Sequence, residues 1–292
     1  RNLKVLDLTA ITEIGEYAFY NAGLSNLDLA SAKTIGIMAF AAQNMNGTDV
    51  AGACTSVNMP VVEEIGHYAF YNNSFTTVSL PKSVRSIGYG VFGSAAQLAT
   101  ITVDAENEIY FVEDNVLYRN VEGAEGYELV TYPAARVAEG GKNAKSYVVK
   151  EGTLRIYPYA FYGLNKNALN KVTLPYSVNA IGDSAFYGSG ITEYNFESIE
   201  APVLESAYRE EIATEINTLA QTSPTLSNYR GYYYTNFETY LYNFTAYVKE
   251  TSTLTMNYPS NGSGYDNHIY KLSSCLYSIL IFTSSVLLVF RS

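Results

Sequence analysis

The side chains best suited to chemistry in this 292-residue chain are few and scattered. Its two histidines, His67 and His268, have no second His or Cys at the spacing that a metal-binding loop or helix requires. Its two cysteines, Cys54 and Cys275, lie far apart in unlike surroundings, so no disulfide framework is expected. Cys54 reads as a small buried residue. The densest acidic group, Glu106, Glu108, Glu113 and Asp114, invites a calcium reading. An EF-hand loop begun at Asp104 would need glycine at its sixth place and a bidentate acid at its twelfth, where this chain has Ile109 and Asn115. The pattern fails, and the acids read as exposed groups flanking a hairpin. Gly-x-Ser-x-Gly, P-loop and Cys-x-x-Cys motifs are absent. The expectation is a chain without catalysis, metal or cofactor.

The chain offers instead an array of hydroxyls, amides and a few charges. Ser25, Asn26 and Asp28 sit within Leu24-x-x-Leu27-x-Leu29, and Thr76, Thr77 and Ser79 within Phe75-x-x-Val78-x-Leu80. Thr100 and Thr102 sit within Leu98-x-x-Ile101-x-Val103, and Asn170, Lys171 and Thr173 within Leu169-x-x-Val172-x-Leu174. The closing alternation of each phrase describes a strand whose apolar side is buried and whose polar side faces out. These polar residues are the candidate binding face, for a protein or glycan ligand.

A second phrase, Ile-Gly-x-x-Ala-Phe, must hold those strands in place. It recurs from Ile14 to Phe19, Ile35 to Phe40, Ile65 to Phe70, Ile87 to Phe92, Ile156 to Phe161 and Ile181 to Phe186, with Tyr157 replacing Gly and Val91 replacing Ala in single copies. Its glycines are expected where the backbone takes positive φ or approaches another backbone closely. Its phenylalanines are expected to stack from coil to coil as an aromatic spine. His67 falls at a variable place in the phrase, where other copies carry Glu16, Ile37, Tyr89 or Asp183, and is expected to be solvent-exposed. Units of roughly 20 to 29 residues built on Leu-x-x-Leu-x-Leu carry the leucine-rich repeat signature. The fold class is a repeat solenoid, mostly β with short irregular or helical returns and a C-terminal cap.

The combined unit, as in residues 75–92 and 169–186, resembles the BspA-like, or Treponema pallidum type, leucine-rich repeat. The interrupting stretches Asn107 to Asn120, Glu128 to Pro133 and Ser146 to Gly152 resemble the hairpin-like extended repeat of that family. The resemblance implies a secreted or surface-attached, extracellular protein that binds components of host or neighbouring cells. A spacer that displays another domain is the alternative, with an enzyme last.

Residues 1–198 form the expected solenoid, with the irregular extended repeat at 104–152 and an insertion at Asn44 to Cys54 read as a loop on one face. Residues 199–271 are the expected cap. There Leu204, Tyr208, Ile212, Ile216 and Leu219 have helical spacing, and a Tyr-rich segment follows at 229–258. Residues 272–292 are an apolar tail, read either as a membrane anchor or as an aberrant tail. Arg1 opens directly on a strand phrase without a recognisable leader, so secretion rests on the resemblance and the chain reads as a fragment or a processed protein. With 28 acidic against 18 basic residues and a net charge of −10, nucleic acid is excluded as a partner.

Overall fold

A computed structural model describes residues 6–42, 52, 54–137, 145–164, 168–182, 185–186, 188–191, 193–197, 202–205, 245–248, 253–255, 269–271, 277–282 and 285–288. The strands in chain order are β1 (Glu13–Ile14), β2 (Asn26–Asp28), β3 (Thr34–Ile35), β4 (Ser56–Asn58), β5 (Glu64–Ile65), β6 (Thr77–Leu80), β7 (Ser86–Ile87) and β8 (Thr100–Val103). They continue as β9 (Tyr110–Glu113), β10 (Val116–Asn120), β11 (Tyr127–Thr131), β12 (Ser146–Val148), β13 (Thr153–Ile156), β14 (Lys171–Leu174), β15 (Ala180–Gly182), β16 (Glu193–Phe196) and β17 (Val203–Glu205). The last five are β18 (Thr245–Val248), β19 (Thr253–Thr255), β20 (Ile269–Lys271), β21 (Tyr277–Phe282) and β22 (Ser285–Leu288).

The molecule is a β-solenoid of about six turns with no helix among the described residues. Each turn contributes one strand to a face sheet and a short strand to a return sheet. On the return side β1, β3, β5 and β7 pair in parallel, aligning Ile14, Ile35, Ile65 and Ile87. On the face, β2 pairs with β4, β6 with β8, and β12 with β14 and β16, all in parallel. The core fills the space between the two sides. Leu27 and Leu29, Val78 and Leu80, and Val172 and Leu174 point inward from the face, against Ile35, Ile65, Ile87 and Ile181 of the returns. Each such burial contributes about 1.5–3 kcal/mol, and no single turn has enough neighbours to gain it alone.

The Ile-Gly-x-x-Ala-Phe phrase is a strand end followed by a hydrogen-bonded bend. In the first turn Ala18, Tyr20 and Ala22 donate amide hydrogens backward within the bend, while Tyr17, Phe19 and Asn21 donate to Ile37, Ala39 and Ala41 of the next turn. This alternation satisfies backbone groups that a β-ladder no longer serves. The phenylalanines stack as expected, at 5.2 Å for Phe19 and Phe40, 5.6 Å for Phe40 and Phe70, and 6.1 Å for Phe70 and Phe92. Beyond the irregular segment Tyr132 stacks on Phe161 at 5.0 Å, and Phe161 on Phe186 at 4.9 Å.

The phrase glycines do not adopt positive φ. A Cβ on Gly36, Gly66, Gly88 or Gly182 would lie 2.4–2.7 Å from a backbone atom of the preceding turn, so close approach alone requires glycine there. Within the phrase the left-handed positions are the residues just before its Ala, or before Val91 in one copy, namely Tyr17, Met38, Tyr68, Gly90 and Tyr159, with φ from 50° to 63°.

The irregular repeat enters the return sheet through an antiparallel β9–β10–β11 meander, after which β11, β13, β15 and β17 run parallel. Leu204, the first residue of the expected helix, lies in β17 opposite Ile181, because one more return strand extends the sheet here. The rest of that helix, and most of the Tyr-rich segment, lie outside the described residues, as does the Asn44 to Cys54 insertion apart from Gly52 and Cys54. Within the apolar tail β21 and β22 pair antiparallel. No helix among the described residues is long and apolar enough to cross a membrane.

Candidate functional site

The face strands carry the polar array because the two-residue strand period leaves every second side chain outside the core. Asn26 and Asp28 are exposed on β2, Thr77 and Ser79 on β6, and Thr102 on β8, with Thr100 half-buried beside it. Ser25 and Thr76 precede their strands. Ser25 is half-buried, and its carbonyl accepts the Thr55 amide at 2.8 Å and the Thr55 hydroxyl at 3.2 Å. Thr76 is exposed, and its carbonyl accepts the amides of Ala99 and Thr100 at 3.0 and 3.2 Å.

Adjacent turns link these side chains into rows. The Ser56 hydroxyl donates to Asn26 Oδ1 at 2.8 Å, and Asn58 Nδ2 donates to Asp28 Oδ1 at 2.8 Å. The Thr102 hydroxyl donates to Ser79 Oγ at 3.1 Å, and Thr77 stands opposite Thr100 in register. Ser56 and Asn58 escaped the sequence reading because Cys54-x-x-Val57-x-Met59 disguises the phrase, with Cys in the leading Leu place and Met in the last. Spacing alone would have found them.

The structure does not join all the predicted residues. Asn170, Lys171 and Thr173 lie on the far side of the irregular repeat, in the β12–β14–β16 sheet. There Lys171 aligns with Ser146 and Glu193, and Thr173 with Val148 and Asn195. Among the described residues no backbone ladder connects β8 to β12.

The other sequence candidates are structural. His67 is not solvent-exposed: its ring stacks on Tyr89 at 4.6 Å, and its Nδ1 accepts the Tyr89 amide at 2.8 Å. Burial lowers its pKa to about 4, so the imidazole is neutral at pH 7. Cys54 is buried, and its thiol is pushed up to about 12 by loss of solvent. In the acidic cluster, Lys82 pairs with Glu106 at 2.9 Å, Lys150 with Glu113 at 2.6 Å, and buried Arg136 with Asp114. Among the described residues no group of three or more ligand-type side chains could hold a metal ion.

The profile described as the BspA type leucine rich repeat region matches in six copies, over residues 1–59, 50–121 and 139–251. Among solved structures the chain is similar to a leucine rich cell surface protein from Faecalibacterium prausnitzii A2-165, with 27% identity and a TM-score of 0.54. That match covers 67% of this chain and 48% of the other, so the chain spans about half its length. A leucine-rich repeat protein from Eubacterium ventriosum ATCC 27560 matches at 22% identity and TM-score 0.45, covering 65% of this chain and 59% of its own. The pneumococcal vaccine antigen PcpA matches at 21% identity and TM-score 0.45, covering 67% and 55%. No curated protein sequence matches.

Proposed function

Because the chain belongs to the BspA-type leucine-rich repeat family, we propose that it is a surface-exposed binding module that attaches to protein or glycan components of host or neighbouring cells, without catalysis. The observation that carries this reading is the two pre-ordered rows of outward polar side chains, one across β2 and β4 and one across β6 and β8. Groups already held by neighbours lose less rotamer freedom on meeting a ligand. The surface location is supported by the description of the Faecalibacterium relative as a cell surface protein. The non-catalytic reading is supported by the structural duties of His67 and Cys54, the chain's most reactive described side chains. The test is saturable binding of the full chain to host matrix proteins and glycans. Replacing Thr77, Ser79 and Thr173 together by alanine should abolish that binding while leaving thermal unfolding unchanged, and retention of full binding would refute the face as the site.

A further inference from the structure

The polar face is not an average sample of this acidic chain. Ser56 and Asn58 on β4, Thr77 and Ser79 on β6, and Thr100 and Thr102 on β8 are all neutral, and none is aromatic or arginine. One face carboxylate borders the stripe, Asp28 on β2, which accepts from Asn58 Nδ2 at 2.8 Å. On the return side Lys33 and Arg85 both pair with Glu63, at 3.1 and 2.5 Å, and Glu13 and Glu64 are exposed on β1 and β5. Exposed strands ordinarily carry charges for solubility, so a neutral stripe in a chain with 28 acidic and 18 basic residues is selective.

We propose, on the reading that this face binds, that the stripe of β4, β6 and β8 takes a neutral, hydroxyl-rich polysaccharide laid across the strands. Hydroxyls and amides both donate and accept, as sugar hydroxyls do, whereas an acidic ligand would find no counter-charge on the stripe and would meet the Asp28 carboxylate beside it. A protein partner is a poorer fit. The buried centres of protein interfaces rely on aromatic and arginine anchors, which these positions lack. Adjacent turns repeat at about 4.8 Å, so a polymer with short repeating units meets similar groups turn after turn. Individually weak contacts then add through high local concentration.

The full chain should be retained by at least one of four neutral polysaccharides, starch, mannan, xylan or mixed-linkage glucan, and not by acidic polygalacturonate. Alanine at Thr77, Ser79, Thr100 and Thr102 together should weaken that binding at least tenfold. Serine at the three threonines keeps the hydroxyls and should preserve it, as should alanine at Lys33 and Arg85 on the return side. Thermal unfolding of each variant checks that it folds. Retention by none of the four, stronger retention by polygalacturonate, or binding indifferent to the alanine variant overturns the proposal. If collagen or fibronectin is bound instead and lost in the alanine variant, the polysaccharide class is wrong but the face still binds. If no probe of either class depends on the face, both readings fail.

Discussion

At Gly66 and Gly88 an added methyl would lie 2.5–2.8 Å from backbone atoms of the turn before, while at Gly15 it would meet nothing within 4 Å. Neither backbone can yield without opening the ladder. Gly66→Ala and Gly88→Ala should each cost about 1–3 kcal/mol, the usual range for overpacking, and Gly15→Ala almost nothing. Urea unfolding of the three variants checks the contrast. His67 gives a pH signature. Its native pKa is about 4 against an unfolded value near 6.5, so the unfolded chain binds the extra proton between them. Its contribution is therefore complete above about pH 6.5 and is lost as pH falls toward 4. The wild-type urea midpoint should drop between pH 7 and 5 by more than that of His67→Gln, whose side-chain amide oxygen can still accept the Tyr89 N–H.

Among the elements, β7 is a sheet edge terminated by side chains. The amide of Ile87 donates to the Tyr110 hydroxyl at 2.9 Å, and the Tyr157 hydroxyl donates to the Ile87 carbonyl at 3.3 Å. In earlier turns that carbonyl is served by the next turn's phrase glycine: Gly36 donates to Ile14, Gly66 to Ile35 and Gly88 to Ile65. Tyr157 occupies the glycine place in its own phrase and reaches back with its ring, so the apparent drift in that copy has a bonding role. Tyr110→Phe should cost about 1–3 kcal/mol by leaving a buried N–H without its acceptor. Tyr157→Phe should cost less, since a carbonyl with its longer bond loses one donor, and chemical unfolding of the two variants orders them. Beside this edge, Glu128 is 8% exposed and is held by Arg119 and by Arg155 at 2.9 Å, with both guanidiniums over the Tyr157 ring. Glu128→Ala would remove the carboxylate from two half-buried cations and should cost about 1–3 kcal/mol in the same measurement.

Taken whole, the solenoid consists of two blocks whose seam is lined with tyrosines. The return ladder ends at β7 and resumes through β11, and the face ladder, already interrupted between β4 and β6, ends at β8 and resumes at β12. Across the gap Tyr68 meets Tyr159 at 5.1 Å, Tyr71 meets Tyr162 at 5.9 Å, and Tyr89 meets Tyr157 at 4.9 Å. Gly90 makes the first contact possible, because a Cβ there would strike the Tyr68 ring at 2.6 Å. Stability in repeat arrays is a sum of unit and neighbour terms, so a seam with few backbone bonds should divide the cooperativity. Native-state hydrogen exchange should resolve two groups of amides, those of β1–β8 and those of β11–β16, opening with different free energies. A single free energy shared by both groups would refute the division.

The two phrases by themselves determined the solenoid, the inward and outward residues of the face and the stacked phenylalanines, because these follow from short-range periodicity repeated at matched spacing. The same periodicity failed where a residue's duty depends on the neighbouring turn. It placed His67 in solvent, read Leu204 as the start of a helix and left Ser56 and Asn58 out of the face. Only the tertiary structure decided that the glycines serve close packing rather than positive φ, that Tyr110 and Tyr157 finish a broken sheet edge, and that the predicted face is divided among separate ladders. Those outcomes are set by which turn lies against which, a relation between residues about 20 to 90 positions apart that local spacing does not encode.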